Sequence, residues 1–151
     1  MNLIIKLLTT TLVIAATAAV VSAQEKKISR KQLPVAVEKT VAKESAGATI
    51  KGFATEIENG TKFYEASLIV NGHTKDILID KDGNVVEMEE QVSMDSLPAE
   101  VQESLKKAAG SRTIEGIESL TKNGSLFAYE AVVRKGKKRS EIKVGPTGEK
   151  L

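Results

Sequence analysis

No cysteine occurs among the 151 residues, which excludes disulfides, thiol redox work, Cys-ligated metal and a lipid-modified cysteine behind an export signal. Small exported domains often rely on disulfides, so here stability must come from apolar packing between sheet and helix. Histidine is nearly absent as well. His73 is the single copy and directly follows Asn71-Gly72, so no second His or Cys exists to complete a zinc site. A His-based catalytic triad would have to draw every other part from Ser, Asp or Glu. There is no Gly-rich phosphate loop and no nucleophile elbow. Paired carboxylates recur at matched positions only as Glu65 and Glu130, which read as strand surface. The chain therefore reads as non-catalytic, with no cofactor and no metal.

Long apolar runs are also scarce, and the one present is N-terminal. Lys6 carries the only charge before Glu25. Leu7 to Val21 is apolar apart from four threonines, and Val21-Ser22-Ala23 places small residues where a signal peptidase reads. The run is shorter than the roughly 20 apolar residues a bilayer core requires. Residues 1–23 are expected to be a cleaved secretory signal, residues 24–32 a linker, and the product exported to the periplasm or beyond, with no membrane span after cleavage.

What is plentiful is charge, unevenly placed. Leu33 to Glu90 holds 6 lysines against 11 acids, whereas Leu97 to Leu151 holds 11 Lys plus Arg against 7 acids. Such asymmetry suits a charged partner, and it also suits two drifting copies of one solvated unit.

Copies are suggested by the sequence laid on itself. An offset of 64 pairs Leu33-Pro34 with Leu97-Pro98, Val37 with Val101, Gly52 with Gly116 and Asn59-Gly60 with Asn123-Gly124. After Phe63 and Phe127 the offset becomes 65, and Tyr64-Glu65-Ala66 meets Tyr129-Glu130-Ala131, Ile77 meets Ile142 and Gly83 meets Gly148. Each span opens with a helix signal. Pro34 and Pro98 suit the first helical position, and Leu33, Val37, Val41 or Leu97, Val101, Leu105 make one apolar stripe. Gly47 and Gly110 lie where those helices should end.

The hydrophobic period then falls to two. Strands are expected over Ile50–Glu58, Lys62–Val70 and Lys75–Asp80, with a short fourth at Val85–Met88, and later over Ile114–Lys122, Leu126–Lys135 and Ser140–Val144. Asn59-Gly60, Asn71-Gly72 and Asn123-Gly124 are type I′ hairpin signals. The expected fold is α+β: two tandem repeats, 33–90 and 97–151, each an N-terminal helix on one face of a three- to four-stranded antiparallel meander. Alternation assigns Tyr64, Ala66, Leu68, Tyr129, Ala131 and Val133 to the helix-covered face. The other face receives Phe63, Glu65, Ser67 and Ile69, and Glu130, Val132 and Arg134.

Two motifs invite sharper readings. Asp80-Lys81-Asp82-Gly83-Asn84 resembles the start of a calcium loop, but counting from Asp80 puts Val85 and Gln91 where an EF-hand needs Gly and Glu. A β-turn accounts for the same residues. Arg134, Lys135, Lys137, Lys138 and Arg139 crowd one hairpin around Gly136 without the interleaved aromatics of a nucleic-acid binder. That cluster suits either an acidic partner or an edge kept soluble by charge.

The Leu-Pro helix start, the Tyr-Glu-Ala strands at Tyr64 to Ala66 and Tyr129 to Ala131, and the Asp82-Gly83 turn resemble the PepSY and PepSY-like domains of exported bacterial proteins. In tandem they are also similar to the β-lactamase inhibitor protein fold. The resemblance implies a module that binds or restrains a peptidase or other envelope hydrolase, with no catalytic residues to carry over. The open sheet face and the basic hairpin, not the resemblance, supply the expected partner-binding residues, Phe63, Glu65, Ile69, Glu130, Val132, Arg134, Lys135, Lys137, Lys138 and Arg139, and no nucleic acid is involved. The alternative is a structural or weakly ligand-binding repeat protein.

Overall fold

A computed structural model describes residues 25–151, so the expected signal peptide, 1–23, lies outside the described residues. The chain runs β1 (Lys26–Ile28), α1 (Val35–Glu44), β2 (Thr49–Glu58), β3 (Thr61–Val70), β4 (His73–Ile79), β5 (Val85–Gln91), α2 (Ala99–Ala109), β6 (Thr113–Lys122), β7 (Ser125–Lys135) and β8 (Lys138–Val144). Short 3-10 turns at Arg30–Gln32 and Met94–Ser96 lead into the two helices.

The expected pair of helix-plus-meander units is corrected by the sheet topology. Among the described residues eight strands form one antiparallel sheet in chain order, accompanied by two short α-helices. The joining ladder runs from Glu87↔Lys122 to Gln91↔Glu118 between β5 and β6. Backbone bonds from Val92 N to Ile117 O and from Asn123 N to Val86 O, both 2.9 Å, extend it at either end. The physical reason is that an unpaired strand edge leaves a row of N–H and C=O groups without partners, and the fourth strand supplies an edge that β6 satisfies. The stretch expected as a linker also joins in, because β1 pairs Lys26↔Thr55 and Ile28↔Phe53 along the outer side of β2.

Local chemistry explains the rest. Asn59, Asn71 and Asn123 have φ of 48°, 52° and 47°, each followed by a glycine of positive φ, so all three Asn-Gly pairs make the expected tight turns. Pro34 and Pro98 sit one position earlier than expected, as the capping residues before α1 and α2, with extended ψ of 152° and 146°. Both helices lie on the same side of the sheet. Val37 and Val41 pack on Ala66, Leu68, Ile77 and Ile79, and Leu97, Val101 and Leu105 pack on Ile117, Ala131 and Val144. The face expected to be covered is the covered one.

Asp80 shows why its motif is a turn. Its Oδ1 accepts from the backbone N–H of Asp82 and of Asn84, and its Oδ2 accepts from Asn84 Nδ2 at 2.8 Å. These bonds, led by that from the Asn84 side chain, hold the Asp80 carboxyl below its ordinary range.

Candidate functional site

Both helices pack on one side of the sheet, so among the described residues its other face carries no helix. Strand alternation and register decide what it displays. On β3, Phe63, Glu65, Ser67 and Ile69 point to it, beside Glu56 and Ala54 of β2 and Leu78 and Asp76 of β4. Glu87 and Glu89 follow on β5, Glu118, Leu120 and Lys122 on β6, Ala128, Glu130, Val132 and Arg134 on β7, and Arg139, Glu141 and Lys143 on β8. Ala54, Leu78, Leu120 and Ala128 are buried on this side, forming an apolar floor beneath the longer charged side chains.

Every sequence-predicted residue of β3 and β7 that was assigned to the open face reaches it, but the two groups do not meet. Phe63, Glu65 and Ile69 are separated from Glu130, Val132 and Arg134 by three intervening strands, about 19 Å of sheet. Lys135, Lys137 and Lys138 stand apart again, exposed at the β7–β8 tip, where Gly136 takes φ of 58°. His73 is exposed at the start of β4.

Around Glu65, on both sides of β3, lies what sequence reading missed. Glu56, Glu58, Glu65, Asp76, Glu87 and Glu89, drawn from four adjacent strands, line a cleft of about 240 Å³ beside Leu78. Glu87 is paired with Lys122 at 3.0 Å, and Ser67 Oγ donates to Glu65 at 2.9 Å. The other lining carboxylates make no ion pair among the described residues. The register even sets like charges opposite one another, Asp76↔Glu89 and Glu118↔Glu130, an arrangement that destabilises a sheet by a few tenths of a kcal/mol or more per pair. The available signal was Glu56-Ile57-Glu58 and Glu87-Met88-Glu89, two acid alternations of period two, which carry meaning only once β2 and β5 are known to flank β3 and β4.

The electrostatics follow. Burial, then repulsion from Glu118, Glu87, Glu130 and Asp76, pushes the Glu89 carboxyl up to about 7. Glu65 is raised by burial against the opposing Ser67 bond, Glu56 by burial and its acidic neighbours, and Glu118 by burial and Asp76. At the basic end charges are better matched. Arg134 bonds Glu115, Arg139 reaches the same carboxylate at 3.5 Å, and Lys143 meets Glu130 at 2.8 Å. No group of three or more metal-ligating side chains converges among the described residues, and no helix there is long and apolar enough to cross a membrane.

The raised Glu89 makes stability depend on pH. A folded carboxyl that titrates near 7 keeps a proton the unfolded chain has released, so this group's contribution to stability is most favourable at low pH and falls as pH rises through the window from 4.5 to about 7. Allowing for solvent access, the loss is about 1–2 kcal/mol. Glu89→Gln should therefore be more stable than wild type at pH 8 by that amount and indistinguishable from it below pH 5. Urea titrations at both pH values check this, and an unchanged pH slope in the variant would remove Glu89 as the cause.

No protein-family model matches this chain, and no curated protein matches it. Solved structures do. A BLIP-like protein from Bacteroides fragilis is 21% identical at a TM-score of 0.57, over 77% of this chain and 81% of that one. A DUF2874 family protein from Bacteroides ovatus is 20% identical at a TM-score of 0.62, over 78% and 84%. A protein from Bacteroides eggerthii, provisionally described as periplasmic, is 19% identical at a TM-score of 0.64, over 78% and 85%. At such identities the likeness establishes architecture alone: the chain shares the fold of these BLIP-like and DUF2874 Bacteroides proteins.

Proposed function

We propose that this chain is an exported, non-catalytic protein-binding module of the PepSY-like kind, which seats its partner on the helix-free sheet face and restrains a peptidase or other envelope hydrolase. The observation that supports this reading is the face itself: eight strands wide, free of helices, and mixing half-buried Phe63, Ile69 and Val132 with charged groups. Seven strand spacings span about 34 Å, and the strands run from about 10 Å at β1 to about 36 Å at β7. That is room for the roughly 800 Å² per partner of a standard interface. The fold likeness to a BLIP-like protein and to a protein provisionally described as periplasmic supports the inhibitory and export parts of the proposal.

Apolar side chains at the centre of a patch carry most interface energy, while charges at its rim govern steering. Replacing Phe63 by Ser and Ile69 and Val132 by Thr should abolish capture of the partner from an envelope extract by the immobilised protein, with the melting temperature kept within a few degrees of wild type. Capture that survives all three substitutions moves the contact to the basic hairpin. No retained partner with wild type overturns the reading.

A further inference from the structure

Two unbalanced charge clusters lie at opposite corners of one sheet. The acidic cleft draws on β2 to β5 and reaches the ends of β2 and β5 where Glu58 and Glu87 stand. The basic tip joins β7 to β8, which lie on the far side of the sheet and turn at its other end. Among the described residues Lys135, Lys137 and Lys138 make no ion pair, and neither do Glu56, Glu58 and Glu89. Like charges face each other at both places, Lys135↔Lys138 across the turn and Asp76↔Glu89 in the cleft. Each pairing costs stability that an opposite charge arriving from outside would return.

Within one molecule the clusters cannot meet. From β3 to β8 the sheet spans five strand spacings, about 24 Å, and a hydrogen-bonded sheet does not fold its corner onto its own face. Between molecules nothing prevents it. We infer that the chain associates with a second copy of itself, the lysine tip of the β7–β8 hairpin of one copy seated in the carboxylate cleft of the other. A two-residue turn is narrow, and a cleft of about 240 Å³ admits a lysine side chain or two. Because the two surfaces differ, the contact is heterologous and leaves a free tip and a free cleft at the ends, so assembly grows with concentration and does not stop at a dimer. Because the tip is exposed and the cleft is open to solvent, the contact is screened by salt.

Sedimentation velocity on the purified protein tests this. At about 10 mM NaCl the sedimentation coefficient should rise with concentration, and at about 0.5 M NaCl the dependence should vanish. Two surface variants separate the charge contact from any other association: Lys135→Glu with Lys137→Glu and Lys138→Glu, and Glu56→Lys with Glu58→Lys. Each alone should sediment as a monomer at low salt. Mixed in equal amounts they should associate, because the basic tip of the second meets the acidic cleft of the first. A monomeric wild type at every concentration and salt overturns the inference, as does a tip variant that associates like wild type. Partner capture through Phe63, Ile69 and Val132 is unaffected by either result, so the two readings stand or fall separately.

Discussion

Ile77→Ala should lower the unfolding free energy by about 2–5 kcal/mol, and Leu105→Ala by a similar amount, with each variant still unfolding in one transition. Both side chains are fully buried, Ile77 under α1 and Leu105 within α2 against β6, β7 and β8. Truncation removes three carbons from each and leaves a cavity that the strands on either side cannot fill. The two positions belong to different apolar clusters, so a chain made of two separate units would lose one half first and show a plateau. The β5–β6 ladder opposes that, since melting either half leaves a ten-residue strand or its neighbour with an unpaired edge. Urea denaturation followed by far-ultraviolet circular dichroism, with the slope compared to wild type, is the measurement. A biphasic curve in either variant would show that the seam does not couple the halves.

Gly83→Ala should cost about 2–3 kcal/mol, more than a turn glycine ordinarily commands. Gly83 closes the β4–β5 turn with φ of 90°, and a Cβ there would lie 2.8 Å from the carbonyl oxygen of Ala36 in α1. Thr40 Oγ1 in the same helix donates to the Gly83 carbonyl at 2.6 Å, so turn and helix are clamped together. Gly148 repeats the arrangement against α2, with φ of 86° and a prospective Cβ 2.7 Å from the Glu100 carbonyl oxygen. Gly72→Ala is the control. Its φ is 86° but nothing lies within 4 Å of the added carbon, so it should show only the dihedral cost, about 1 kcal/mol. Equal losses at Gly72 and Gly83 would mean that the helix contact contributes nothing.

That contact also shows why the Asp-Gly turn was legible as a motif while its requirement for glycine was not. The turn chemistry is local: Asp80 bonds Asp82 and Asn84 within four residues. The need for glycine is not local, because α1, more than forty residues earlier in the chain, is what a side chain at Gly83 would strike. The candidate site divides in the same way. Phe63, Glu65 and Ile69 on one strand, and Glu130, Val132 and Arg134 on another, could be put on the open face from alternation alone. The carboxylates of β2, β4 and β5, which stand on both sides of β3, become a cluster only through lateral pairing.

Sequence by itself determined seven of the eight strands, the three Asn-Gly turns, the helix stripes and the side each of their residues faces. These depend on dihedral preference and on periods of two and 3.6, which are properties of neighbours along the chain. Tertiary structure alone decided that Lys26–Ile28 pairs with β2, that β5 pairs with β6 to make one sheet of eight, and that acids from four strands share one cleft. Hydrogen bonds between strands join residues about thirty positions apart, and nothing in the local pattern records which edge a free strand will find.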